Sequence, residues 1–181
     1  MKIIVALMFS FLLLAGCQSE QVKQEKLEGQ EEFTFYERNV KPRMLEVVAV
    51  EGSNGTAYTP LLSYCWNPDL TQCPSELNNE PPGQDVFENS PAMKIKPNEK
   101  LQLQIVKTPD DFNENVKEKL PFPTKIEAFK VISNQYEPVE LKDDYLTMPA
   151  EEGRYIYLFR VTYDEEFKGI AYYAWQGKVE Q

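Results

Sequence analysis

Two stretches near the C-terminus set aromatic residues at alternate positions: "RYIYLFRVTY" (154–163) and "KGIAYYAWQGKV" (168–179), joined by "DEEF". In the first, Tyr155, Tyr157, Phe159, Val161 and Tyr163 occupy every second position, with Arg154, Arg160 and Thr162 among the residues between them. In the second, Ala171, Tyr173, Trp175 and Val179 share one parity. Successive side chains of a strand point to opposite faces, so a period of two gathers each set on one face. Residues this rich in rings and β-branches suit a pleated surface. The two stretches predict a pair of strands across an acidic turn, with both aromatic faces turned to a core and Arg160, Lys168 and Lys178 outside it. The aromatic ladder reads first as packing, since aromatic cross-strand pairs stabilise a sheet by roughly 0.2–1 kcal/mol each. A ligand-binding aromatic platform is the alternative.

The same period recurs upstream. "MLEVVAV" (44–50), "AYTPLLSYCW" (57–66), "KLQLQIV" (100–106), "TKIEAFKVI" (124–132) and "YEPVELK" (136–142) all read as strands. "MKI" (93–95) precedes the turn "PNEK" and is expected to pair with "KLQLQIV" as a hairpin. Short, evenly spaced strands punctuated by 13 prolines and 8 glycines predict an all-β, Ig-like antiparallel sandwich of about seven strands. One segment does not fit that economy. "NPDLTQCPSELNNEPPGQDVFENSP" (67–91) is long, polar and proline-rich, and long ordered loops are often functional.

The N-terminus sets the compartment. "MKIIVALMFSFLLLAGC" has a basic start at Lys2, then an apolar run from Ile3 to Leu14 broken only by Ser10. Such a run is shorter than the about 20 residues a bilayer span needs, and this is signal-peptide anatomy. Leu14-Ala15-Gly16-Cys17 resembles the lipobox of bacterial lipoproteins. The resemblance implies cleavage before Cys17 and a diacylglycerol thioether on it. It divides the chain into a signal peptide (1–16), a lipidated cysteine with a polar tether (17–32) and a sandwich domain (33–181). The tether "QSEQVKQEKLEGQEE" would span roughly 20 Å on average. One acyl chain binds membranes only marginally, whereas two hold stably.

With Cys17 assigned to lipid, two of the three cysteines remain, Cys65 and Cys73 in "SYCWNPDLTQCP". Export would put them where disulfides persist. A structural bridge between them is the expectation, with two free thiols, a redox pair or a metal site as alternatives. A zinc site wants four Cys or His ligands, and the chain has no histidine. If Cys65 lies in a strand, Tyr64 and Trp66 share the face opposite its sulfur. Trp66 then either packs over the end of the sandwich or stands beside the loop as an aromatic for a sugar ring or protein partner. From "SYCW" through "KLQLQI" to "EGRYIYLFRVTY" and "GIAYYAWQGKV", the body resembles a group of small lipoproteins of Gram-positive bacteria without an assigned activity. That resemblance implies an Ig-like fold and carries no catalytic residues.

Chemistry narrows further by exclusion. Without histidine, Ser-His-Asp and Cys-His arrangements are out of reach. The acid doublets Asp110-Asp111, Asp143-Asp144 and Glu151-Glu152 would point to opposite strand faces or sit solvated in turns. Asp111, Asn113 and Asn115 mimic the start of an EF-hand loop, but Val116 and Phe122 stand where glycine and a bidentate glutamate are needed. No phosphate loop or dinucleotide fingerprint is present. The formal charge of −10 argues against nucleic acid. The expectation is a non-enzymatic, membrane-anchored, extracytoplasmic lipoprotein, with no cofactor and no metal. It would bind an envelope protein or glycan through loop 65–91 with Tyr64 and Trp66. A calcium-dependent or small-ligand binder of the envelope is the alternative.

Overall fold

The aromatic pair forms as its period predicts. Strand β9 (Gly153–Asp164) and strand β10 (Lys168–Val179) run antiparallel in unbroken register from Asp164↔Lys168 to Gly153↔Val179. Tyr157, Phe159, Val161 and Tyr163 of β9 join Ala171, Tyr173, Trp175 and Val179 of β10 in one buried cluster, with Tyr155 half-buried at its edge. The computed structural model describes residues 40–50, 55–74, 84–87, 91–112, 114 and 120–181. The expected signal peptide, Cys17 and tether lie outside the described residues.

Eight further strands lie among the described residues. They are β1 (Leu45–Ala49), β2 (Thr56–Tyr58), β3 (Leu61–Trp66), β4 (Met93–Ile95), β5 (Lys100–Ile105), β6 (Lys125–Ile132), β7 (Gln135–Val139) and β8 (Tyr145–Thr147). A four-stranded sheet has the order β2-β1-β5-β8, and a six-stranded sheet the order β3-β10-β9-β6-β7 with β4 also on β10. Leu45, Val47, Leu101, Leu103 and Leu146 of the smaller sheet meet the aromatic face of the larger one in the shared core. The all-β sandwich stands; among the described residues it has ten strands rather than about seven, and the only helical pieces there are short 3-10 turns.

Three departures from the expected strands have local causes. The stretch 57–66 is two strands in different sheets. Pro60 has no N–H to donate, and Thr59 before it bonds the Leu45 carbonyl through both backbone N and Oγ1, so the chain leaves the small sheet there. The hairpin of 93–95 with 100–106 does not form. β4 instead runs parallel to the end of β10, while β5 pairs with β1 and β8. The intervening turn is held by Glu99, whose carboxylate accepts from the Lys96 N–H and whose carbonyl accepts from Met148 N. It steers the chain across the sandwich and leaves Ile95 in the core. Strand β8 is a short addition after Asp143-Asp144, both at positive φ and bracketed by reciprocal Lys142–Tyr145 hydrogen bonds. Ser133-Asn134 makes the same kind of two-residue turn between β6 and β7. Its left-handed geometry matches the strand twist.

The larger sheet is covered on both sides. Leu158, Ile170, Tyr172 and Cys73 form a second buried cluster, joined by half-buried Leu62, Cys65, Leu70, Phe129 and Tyr136. These residues have the opposite parity to the main core. They sit on the outer face of the six-stranded sheet, beneath the described part of the long loop.

Candidate binding surface

The disulfide is present: Cys65 and Cys73 are joined, with their Cα atoms 5.6 Å apart. The bridge does more than close a small loop. Cys73 is buried against the outer face, and Tyr172 Oη donates to the Pro74 carbonyl at 2.9 Å. Between the cysteines, Asn67 Oδ1 accepts from Asp69 N, and Asp69 Oδ1 accepts from Thr71 N and Oγ1. These bonds, the Thr71 hydroxyl foremost, hold the Asp69 carboxyl below its usual pKa. They fold Leu70–Gln72 into a 3-10 turn that sets Leu70 on the apolar cluster. Farther along, Phe87 is buried at the end of the turn Gln84–Phe87, which packs on β10. The described parts of loop 67–91 are thus a cover for an apolar sheet face.

Tyr64 and Trp66 share a face opposite the sulfur of Cys65, and that face is the interior one. Both are half-buried against the main core. The Trp66 ring meets Tyr163 edge-on at a centroid distance of 4.9 Å, and its Nε1 donates to the Val40 carbonyl. Gly169 lies directly beneath the ring. The aromatics beside the disulfide therefore seal the end of the sandwich, and the loop side of the sheet presents other residues.

Sequence reasoning passed over Arg43. It is 2% exposed and its guanidinium makes four hydrogen bonds. It donates to both oxygens of Asp111 and to the carbonyls of Leu120 and Pro121, and it lies 3.9 Å from the centre of the Phe122 ring. Asp111 also accepts from the N–H of Thr108. The hydrogen bonds from Arg43 lower its carboxyl to a pKa of about 2. The first residue of the EF-hand-like stretch is thus committed to a cation within the chain; Asn113 and Asn115 lie outside the described residues. The carbonyl of Arg43 accepts from Tyr173 Oη. Burial, with the neighbouring phenol, raises Tyr173 well above the usual tyrosine range, and burial raises Tyr163 to about 12.

The open surface is the outer face of the small sheet. Register sets its rows: Tyr58, Glu46 and Gln104 in one, Thr56, Val48, Gln102 and Tyr145 in the next. Tyr58 is 59% exposed, and Gln104 Nε2 donates to Gln102 Oε1 at 2.7 Å. At one end a cavity of about 420 Å³ is lined by Val50, Lys100, Lys142, Asp143, Tyr145 and Thr147. Side-chain amides, two carboxylates, lysines and two tyrosine rings thus share a broad sheet face. The alternation in "KLQLQIV" signals its glutamines, but nothing in the sequence sets the two tyrosines beside them. Among the described residues no cluster of three or more acidic or cysteine side chains could hold a metal ion. No family description, curated protein or solved structure matches the chain.

Proposed function

We propose that the protein is a membrane-anchored, extracytoplasmic lipoprotein whose sandwich is a non-enzymatic binding module of the cell envelope, with a glycan as its ligand. The anchor rests on Leu14-Ala15-Gly16-Cys17 behind a short apolar run. The ligand class rests on one observation: the outer face of the small sheet sets Tyr58 and Tyr145 beside the amides of Gln102 and Gln104 and the carboxylate of Glu46. Ring faces pack against the C–H faces of sugars, and amides and carboxylates bond hydroxyls in either direction. The disulfide-pinned loop serves this module as a structural cover.

Two measurements test the two halves. Metabolic labelling with a fatty acid should mark the wild-type protein and not Cys17→Ser; label on neither removes the anchor. Retention of the protein on cell-wall polysaccharide should fall at least tenfold in Tyr58→Ala. Equal retention of that variant, or no retention of the wild type, removes the glycan surface.

A further inference from the structure

The cations of the small sheet's outer face gather at one end. Lys100 and Lys142 line the cavity of about 420 Å³ there, with Asp143, Tyr145, Thr147 and Val50. The fold brings both lysines to one ring. Tyr145 pairs with Gln102 of β5, and Lys100 lies two residues before Gln102, opposite Thr147. Residues two apart on a strand share a face, so Lys100 is a diagonal neighbour of Tyr145. Lys142 meets Tyr145 from the other side, as its partner across the Asp143-Asp144 turn. Lys94, Lys125, Lys168 and Lys178 each hold a carboxylate. Among the described residues Lys100 and Lys142 hold none, although Asp143 lines the same cavity. Other acids stand apart from it. The buried Glu99 carboxylate accepts from Lys96 N. Glu140 and Asp144 lie outside the lining, Asp144 in a separate cavity beside Leu103. Glu46 belongs to the row of Tyr58 and Gln104. Two lysines against Asp143 leave the cavity lining with a cation in excess.

We propose that this cavity is the specificity subsite of the glycan surface and takes an acidic sugar, a hexuronate whose ring packs on Tyr145 and whose carboxylate lies between the ammonium groups of Lys100 and Lys142. The inference rests on the glycan reading of the same face and narrows its ligand. The cavity falls within the roughly 300–1,000 Å³ of small-ligand sites. An ammonium group brings three donors and no acceptor, and its bonds to a carboxylate are about twice as strong as bonds between neutral groups. A neutral sugar leaves the two lysines to water, so the acid is the group that discriminates. The other polar groups suit the ring hydroxyls. Asp143 accepts from them, the Thr147 hydroxyl bonds in either direction, and Gln102, whose Oε1 accepts from Gln104, keeps its N–H donors. A carboxylate borne on the ring keeps the charge and the stacking face within one cavity. A phosphodiester joins two units and carries its charge away from the stacked ring. The chain as a whole totals −10 and repels an acid, so a preference for one has to come from a local site.

The test separates the acidic subsite from the glycan surface. The full-length protein in neutral detergent is titrated with trimers of galacturonate, mannuronate and glucuronate, with the carboxyl-reduced form of each, and with 6-phosphorylated mannotriose. At least one uronate trimer should bind at least tenfold more tightly than its reduced form. Lys100→Gln with Lys142→Gln should abolish that difference and leave binding of the reduced trimer within twofold, with thermal melts confirming that the variant folds. Lys41→Gln with Lys107→Gln, at exposed lysines outside the cavity, should leave the preference intact; an equal loss there would trace it to overall charge and overturn the subsite. Equal affinity for acid and reduced trimers would overturn the subsite and keep the glycan surface. Binding of no trimer by the wild type would remove the glycan reading and the subsite with it. Tighter binding of the phosphorylated trimer than of every uronate, lost in the Lys100 and Lys142 variant, would give the lysines to phosphate and overturn the carboxylate.

Discussion

Gly169→Ala tests how the end of the large sheet is sealed. A Cβ added at Gly169 would lie 2.2 Å from Cε3 and 2.8 Å from Cζ3 of Trp66, and 2.6 Å from the carbonyl oxygen of Cys65. Each is well inside van der Waals contact, and neither neighbour is free to yield. The indole is braced by Tyr163 on one side and by its bond to the Val40 carbonyl on the other. The Cys65 carbonyl belongs to the β3–β10 ladder and to a residue tied by the disulfide. Relief requires the end of β3 to lift from β10, which breaks the Asn67 N to Lys168 O bond of 3.1 Å.

Overpacking of this kind costs about 1–3 kcal/mol, and the lost hydrogen bond about 1 kcal/mol. The expected loss is therefore roughly 2–4 kcal/mol, or roughly 5–15 °C in Tm at about 2–4 °C per kcal/mol for a chain of this size. Urea denaturation followed by circular dichroism measures it, and the cycle with Trp66→Leu divides it. Without the indole only the carbonyl contact remains, so alanine at this position should cost at least about 1 kcal/mol less in that background. A Gly169→Ala protein within about 0.5 kcal/mol of wild type, or strict additivity in the cycle, would refute the reasoning.

Other perturbations read other parts of the fold. Trp175→Ala should lose about 3–5 kcal/mol by leaving a cavity in the main core. Trp175→Phe should lose far less than that, because the buried Nε1 has no hydrogen-bond partner to forfeit; both are measured by urea denaturation. Cys65→Ser with Cys73→Ser should cost roughly 2.5 kcal/mol by the loop-closure relation and expose the Asn67–Pro74 turn to limited proteolysis without unfolding the sandwich. Asp111 should govern acid stability. Its folded pKa of about 2 lies below the ordinary 3.8, so its contribution is present above that value and is lost as pH falls towards 2. Thermal melts across pH 5 to 2 should therefore show a shallower decline in Asp111→Asn. At the alkaline end, burial keeps Tyr157 and Tyr163 protonated to about 12 against an ordinary 10. Stability should fall as pH rises through that interval, a change read by the 295 nm phenolate absorbance with the melt.

The main core is legible in the sequence because its code is periodic. Alternate aromatics in β9 and β10 mark the inward residues by parity alone. The parity around Cys65 likewise fixes the side of the sheet on which Tyr64 and Trp66 lie, though not that this side is the interior. The second apolar layer is readable too, but from a subtler sign. Ile170, Tyr172 and Ala174 interleave with Ala171, Tyr173 and Trp175, and a strand apolar at every position is one covered on both faces. Pairings are harder. β4 is three residues long, and its partner is chosen by where Ile95 can be buried, not by its neighbour in sequence. Arg43 is out of reach, since "KPRM" looks like any surface run until its partners Asp111, Leu120, Pro121 and Phe122 arrive. The open face of the small sheet depends on cross-strand register, which no single strand encodes.

Strand β10 has a consequence for how the chain comes into being. It is the common neighbour of β3, β4 and β9, and it follows all of them in the order of synthesis. Until its residues emerge, β3 and β4 have no partner in the larger sheet, whereas β9 can already pair with β6 and the smaller sheet needs no part of β10. The six-stranded sheet is therefore joined into one only when β10 is made. The most protected amides of that sheet should be those of β10.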